Sequence, residues 1–315
     1  MIHYYKKEGG NLVQGTEAEP GCWINISPPF TQEELEEVSQ SYDVPLDFLT
    51  DALDVDESSR YEREDDVRLI MLNTPLKNVF ENELDTMFIT LPVGIILTVD
   101  HIITITSHPN PVLDQFIKGR VKNFEPSDES LFVLQIFEQT VLRYLKCLKQ
   151  LNHQRNLIER ELYDSSRNKE LKRLLSIEKS LVFFVNSLSS NELLKMKMKR
   201  TDYLKIRDSE FKTDLFEDII IDNSQALNMA NVYTNILNGT MDYYSSLVSN
   251  NLNLVMQRLT LITIILMVPT LVTSFYGMNV DLPFDQSRFA FLYIIIIATL
   301  ISLLIAFYFQ RKRMF

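Results

Sequence analysis

Ten residues between Asp242 and Ser274 sit alternately three and four positions apart: Asp242, Ser246, Ser249, Asn253, Met256, Thr260, Thr263, Met267, Thr270 and Ser274. On a continuous helix that spacing makes one seam. A coiled-coil seam would carry Leu and Ile. This one carries hydroxyls, an amide, a carboxylate and two methionines, while its neighbours Leu261, Ile262, Ile264, Ile265 and Leu266 are apolar. Two readings follow. Symmetric copies of the seam around an axis would enclose a polar pore. Alternatively, Ser and Thr would let helices pack closely and hydrogen-bond across a dry seam.

The elements that must hold the seam lie around it. Leu259 to Phe275 is almost uninterrupted in its apolar character, and Phe289 to Phe309 is a second run without a single charge. Each can cross a hydrocarbon core of about 30 Å at about 1.5 Å per residue, the first one barely. The alternative, a pair of buried core helices, fits poorly with that absence of charge. A helix in lipid turns its polar stripe away from the tails, and the second run has few polar side chains to satisfy it. Arg311-Lys312-Arg313 follows at once. By the positive-inside rule both termini are cytoplasmic, and a short loop, 276–288, is external. The expected location is the inner (plasma) membrane.

Upstream, Ser127 to Asn250 contains one glycine, Gly239. Leu131, Leu134, Ile136, Val141, Leu145 and Leu148 form an apolar stripe. A charged helical stretch covers Asn156 to Phe184, and Ser187-Leu188-Ser189-Ser190-Asn191 predicts a hairpin loop. A third helix starts near Asp214 and meets no stop signal before the membrane. The N-terminal part is mixed α/β. Trp23 to Ile26, Val67 to Leu72, Met87 to Leu91, Ile95 to Val99 and Ile102 to Thr106 are strands, and Asp100-His101 is a tight turn. Thr31 is a helix cap followed by Glu33, Glu34, Glu36 and Glu37. The fold class is therefore an α+β membrane protein in three parts: a cytoplasmic α/β domain (1–126), a helical bundle with a stalk helix (127–257) and a transmembrane hairpin (258–315).

Composition excludes several functions. A net charge of −11 argues against a nucleic-acid partner and suits cations. Cys22 and Cys147 have no paired spacing and read as reduced thiols. The N-terminus MIHYYKKEGG is no signal peptide. No GxxxxGK[ST] loop and no nucleophile–base pair point to an enzyme. His3, His101, His108 and His153 share no metal-ligand spacing. The acidic run Asp51, Asp54, Asp56, Glu57, Glu62, Glu64, Asp65 and Asp66 reads as a solvated face rather than a metal site. Lys195, Lys197, Lys199 and Arg200 read as a solvated basic stretch.

Tyr276-Gly277-Met278-Asn279 stands at the end of the first apolar run. A Tyr-Gly-Met-Asn tetrapeptide ending the first of two C-terminal spans resembles the signature of the CorA family of divalent-metal channels. The resemblance implies a homopentameric funnel in the lipid bilayer. Its first span lines the pore and its second packs outside. Mg²⁺ is implied both as cargo and as regulator, with no other cofactor. The implied pore positions are Asn253, Met256, Thr263, Met267 and Thr270, with a constriction at Met256 and Leu259 where the spacing selects Thr260. The tetrapeptide would be the selectivity filter. Its Asn279 amides would meet the ion's water shell, and Gly277 would allow a sharp turn. Asp218 and Asp242 match regulatory metal positions; Glu81, Glu83 and Asp85 lie near where a partner carboxylate is expected. The loop departs from the common Met-Pro-Glu-Leu and reads Val280-Asp281-Leu282-Pro283-Phe284. Alternatives are a Zn²⁺, Co²⁺ or Ni²⁺ transporter of the same family, or a two-span signalling or scaffold protein.

Overall fold

The computed structural model describes residues 1–78, 86–164, 168–278 and 289–312. The chain divides into two compact units, Met1–Thr240 and Met241–Phe315.

The first unit is built on a seven-stranded sheet. Its strands are β1 (Ile2–Glu8), β2 (Asn11–Gly15), β3 (Trp23–Ile26), β4 (Tyr61–Glu64), β5 (Val67–Lys77), β6 (Phe88–Leu97) and β7 (Ile102–Thr106). They lie in the order β2-β1-β3-β7-β6-β5-β4. β3 and β7 pair in parallel, and their neighbours pair antiparallel. Both faces of the central strands β3, β7, β6 and β5 are covered, which is why these four are buried almost throughout rather than alternating. Ile24, Ile26, Ile103 and Ile105 meet Leu35 and Val38 of α1 (Gln32–Ser41) and Phe48 and Leu49 of α2 (Leu46–Asp51). Thr31 and Glu34 close the expected capping box on α1.

The opposite face packs on α3 (Leu113–Ile117), α4 (Glu129–Asp164), α5 (Asn168–Thr201) and the start of α6 (Glu210–Tyr276). Trp23 anchors this layer at 0 % exposure. Its ring lies 5.0 Å from Tyr5 and 5.2 Å from Phe132, and its Nε1 donates to Thr104 Oγ1 at 2.8 Å.

Three expectations need correcting. The two strands expected at Met87–Leu91 and Ile95–Val99 are one, β6, running through Pro92 and Gly94. β7 pairs with β6 only from Val93 onward, so Pro92 has no ladder partner on that side. At Gly94 a Cβ would sit 2.6 Å from Ala52 Cβ, so α2 rests directly on the strand backbone. The second correction is Ser187 to Asn191, which lies inside α5 and is no loop. The chain leaves α4 at Asp164 and enters α5 at Asn168, so the stretch expected from Asn156 to Phe184 belongs to two helices.

The polar cluster has a different task. β4 pairs with β5 only along Val67–Ile70, leaving the next part of that edge without a strand. Asn191 fills in: its Nδ2 donates to Asn73 O at 2.8 Å and its Oδ1 accepts from Asn73 N at 3.1 Å. Tyr144 Oη of α4 donates to the same carbonyl at 3.0 Å. Ser180 Oγ accepts from Met87 N and Phe88 N, and Ser187 Oγ donates to Thr90 Oγ1. Side chains here replace a strand, as buried backbone groups require.

The third correction is Lys195, which is fully buried, while Lys197, Lys199 and Arg200 are exposed. In the acidic run, Asp51, Glu57 and Glu62 gather around Arg60.

Asn191→Ala strips a buried edge of its substitute partner and should lower unfolding stability by roughly 2–3 kcal/mol. Denaturant titration measures this. A loss below about 0.5 kcal/mol would mean that the edge is satisfied without it.

Candidate functional site

The seam lies on one unbroken element. α6 is a helix of 67 residues with Pro269 inside it, and α7 (Ala290–Arg311) is the second apolar helix. Both are long and apolar enough to cross a membrane.

Along the apolar part of the second unit, shielding is confined to one side of each helix. On α6 from Leu259 to Tyr276 the shielded positions are Leu261, Ile265, Val268, Pro269, Val272 and Tyr276. On α7 they include Ile294, Ala298, Ile301, Ser302, Ile305 and Ala306. Leu261 and Ala298 are the most covered, each 4 % exposed. At about 100° per residue, the seam points about 160° away from the shielded side of α6. Thr260, Thr263, Met267, Thr270 and Ser274 are all exposed. Packing within the chain therefore leaves the seam free. Asn253, Met256 and Leu259 are exposed too; Thr260 lies near the seam's centre line and Leu259 near its edge.

The hydroxyls are oriented by the helix itself. Thr260 Oγ1 donates to Met256 O at 2.8 Å, Thr263 Oγ1 to Leu259 O at 2.8 Å and Thr270 Oγ1 to Leu266 O at 3.0 Å. Ser246 Oγ donates to Asp242 O at 3.0 Å. With the proton committed to the backbone, each oxygen turns lone pairs outward. A hydrated divalent cation presents the opposite: water hydrogens, all donors. Such a surface suits an ion that keeps its water shell.

Tyr276 ends α6. Gly277 N donates to Thr273 O at 3.0 Å and Met278 N to Phe275 O at 3.2 Å, so the helix closes in a tight turn. Gly277 is not in the left-handed region, and a Cβ there would meet Ser274 O at 3.4 Å. Gly277 here serves as a helix terminus. Asn279, with the rest of 279–288, lies outside the described residues.

Asp218, in the first unit, and Asp242, in the second, are both on α6, and both are exposed. Among the described residues no group of three or more His, Cys, Asp and Glu side chains could hold a metal. The structure thus brings no carboxylate set to Asp218, and Glu81, Glu83 and Asp85 lie outside the described residues.

Residues 19–312 match the family model described as CorA-like Mg²⁺ transporter protein. The chain belongs to the CorA family. It is thus a membrane protein with an N-terminal α/β domain, long helices and two C-terminal apolar helices. Among its CorA relatives is the cobalt/magnesium transport protein of Methanocaldococcus jannaschii, 27 % identical over 300 residues, which are 92 % of this chain and 90 % of that protein. The complete structure of the CorA magnesium transporter from that organism superposes with a TM-score of 0.84 at 24 % identity, covering 99 % of this chain and 98 % of the other. The ZntB cytoplasmic domain from Vibrio parahaemolyticus matches with a TM-score of 0.61 at 13 % identity, over 79 % of this chain and 98 % of that one. Both likenesses concern the fold.

The seam's orientation is open to thiol chemistry, since the native thiols Cys22 and Cys147 are buried. Thr263→Cys and Thr270→Cys should react with a water-soluble thiol reagent roughly ten times faster than Leu261→Cys and Val268→Cys. Equal rates at the four positions would remove the seam from the water path.

Proposed function

We propose that this CorA-family chain carries Mg²⁺ across a membrane as a channel, with α6 lining the path and α7 behind it. The observation that carries the reading is the seam: a line of acceptor oxygens on the side of α6 turned away from the shielded one. A single chain cannot enclose an ion with one helix face, and lipid cannot satisfy it. Copies of the seam around an axis do both, and five is the number the family resemblance implies. Membership in a family described by Mg²⁺ transport supports the ion. Cobalt stands beside magnesium in the relative's name, so Co²⁺ is the second cargo to compare.

The driving force is the membrane potential. Each charge moved across 100 mV gains about 2.3 kcal/mol, and a divalent ion about twice that. No nucleotide, other cofactor or catalytic group is assigned. The basic end Arg311-Lys312-Arg313 favours cytoplasmic termini.

Asn279 is assigned the selecting role at the outer mouth, because an amide oxygen attracts a hydrated cation without trapping it. Asn279→Ala should cut Mg²⁺ flux into liposomes at least about tenfold while the oligomer stays assembled, since an ion contact made only at the mouth carries little of the packing. Asn279→Asp should bind cations more tightly and discriminate less among Mg²⁺, Co²⁺ and Ni²⁺. Native mass spectrometry of the same samples should give a pentamer. Wild-type flux in Asn279→Ala, or a monomer as the main species, overturns the channel reading.

Asp218 and Asp242 are assigned to regulation. Mg²⁺ held between subunits offsets like charges there, and its loss loosens the assembly. Mg²⁺ should slow limited proteolysis of the wild type several-fold and protect Asp218→Ala much less. Identical cleavage rates with and without Mg²⁺ in both proteins remove this role.

A further inference from the structure

One ammonium group in the first unit is sealed from water. Lys195 of α5 is 0 % exposed. Its Nζ donates to Asn223 Oδ1 of α6 at 2.7 Å and stands 5.5 Å from the centre of the Phe137 ring of α4. Asn223 is fixed by its other end, Nδ2 donating to Leu188 O of α5 at 3.0 Å, so its oxygen is the atom left for the lysine. The charge that faces Lys195 is Glu192, one turn earlier on α5, whose carboxylate accepts from Ser224 Oγ of α6. The groups that α4 and α6 place against it, Phe137 and Asn223, are neutral. Lys199, one turn further on, reaches Glu217 of α6 at 2.6 Å; Lys195 reaches an amide instead.

A lysine ammonium has three donors to satisfy. Here it finds one acceptor and a ring face. Burial without a counter-ion disfavours the charged form, and it pulls Lys195 down to about 7, with Glu192 offsetting part of the shift.

We propose that Lys195 is a proton-operated latch between α5 and α6: uncharged, it stays in the three-helix junction, and when it takes up a proton the junction parts at Asn223 to let the ammonium reach water. The helix it releases, α6, is the one that carries the seam. On the transport reading, on which this last step rests, a less firmly held α6 rearranges more easily and Mg²⁺ flux rises.

The direction with pH follows from the two states. In an opened junction Lys195 meets water and returns toward its ordinary value of 10.5, against about 7 when closed. Between those values the open state holds a proton that the closed state lacks. Opening becomes easier as pH falls through that window, about tenfold per unit, and levels off below about 7.

Amide hydrogen exchange of the full-length protein in detergent, corrected for the intrinsic rate, tests this. Protection in 188–198 and 216–230 should fall by roughly fiftyfold from pH 9 to pH 7. In Lys195→Met, which keeps an unbranched stem without the proton, it should change less than about threefold. Lys195→Leu is a second variant of the same kind. Flat wild-type protection, or an undiminished slope in these variants, overturns the latch. Flux at a fixed Mg²⁺ gradient tests the coupling. Wild-type flux should rise at least about threefold as internal pH drops from 9 to 7, and Lys195→Met should lose that rise. Flux blind to pH beside a pH-sensitive junction overturns the coupling alone. No flux at any pH overturns the transport reading and leaves the exchange result standing.

Discussion

Hydrocarbon offers no hydrogen bond, and every use to which α6 can be put follows from that. The hydroxyls of its seam within the apolar run, Thr260, Thr263, Thr270 and Ser274, cannot be left to acyl chains. α7 does not solve the problem, because the side of α6 that is shielded within the chain carries Leu261, Ile265, Val268 and Val272, opposite the seam. The polar face must therefore meet water or copies of itself. The helix mitigates the cost in one way: its own carbonyls accept hydrogen bonds from the hydroxyls of Thr260, Thr263 and Thr270.

The same rule governs the sheet. Where β4 stops, the edge of β5 would hold unpaired backbone groups under α4 and α5. Asn191 and Tyr144 are spent on satisfying that edge, and Ser180 does the same for Met87 N and Phe88 N at the start of β6. A helix chosen for packing alone would carry leucines at these places. At Asn191 the polar choice is a consequence of how short β4 is.

The sequence made the seam, the apolar helices, the Thr31 cap and most strands legible because each rests on local periodicity or a local hydrogen bond. Ser187 to Asn191 was not legible, because a Ser/Asn cluster suits a turn and a buried sheet edge equally well. Only the tertiary partner Asn73 decides. The long strand β6 was obscured by Pro92 and Gly94, which break strands unless one edge is unpaired and a helix presses on the backbone. Lys195 carried a signal that its charge concealed. Phe184, Leu188, Asn191, Lys195 and Met198 are spaced four, three, four and three apart and are all buried. The filter assignment rests on Asn279 by sequence, while the seam rests on geometry as well.

The back-bonded threonines have a consequence for ions of the other sign. Water around a cation points its hydrogens outward; water around chloride points hydrogens inward and shows its oxygens. A wall whose oxygens have already given up their protons can bind the first kind of shell and can only repel the second. Such a wall would sort ions by sign without carrying a charge. It would leave the ion's water in place, and between Thr260 and Ser274 it would offer no carboxylate at which a divalent ion could become stuck.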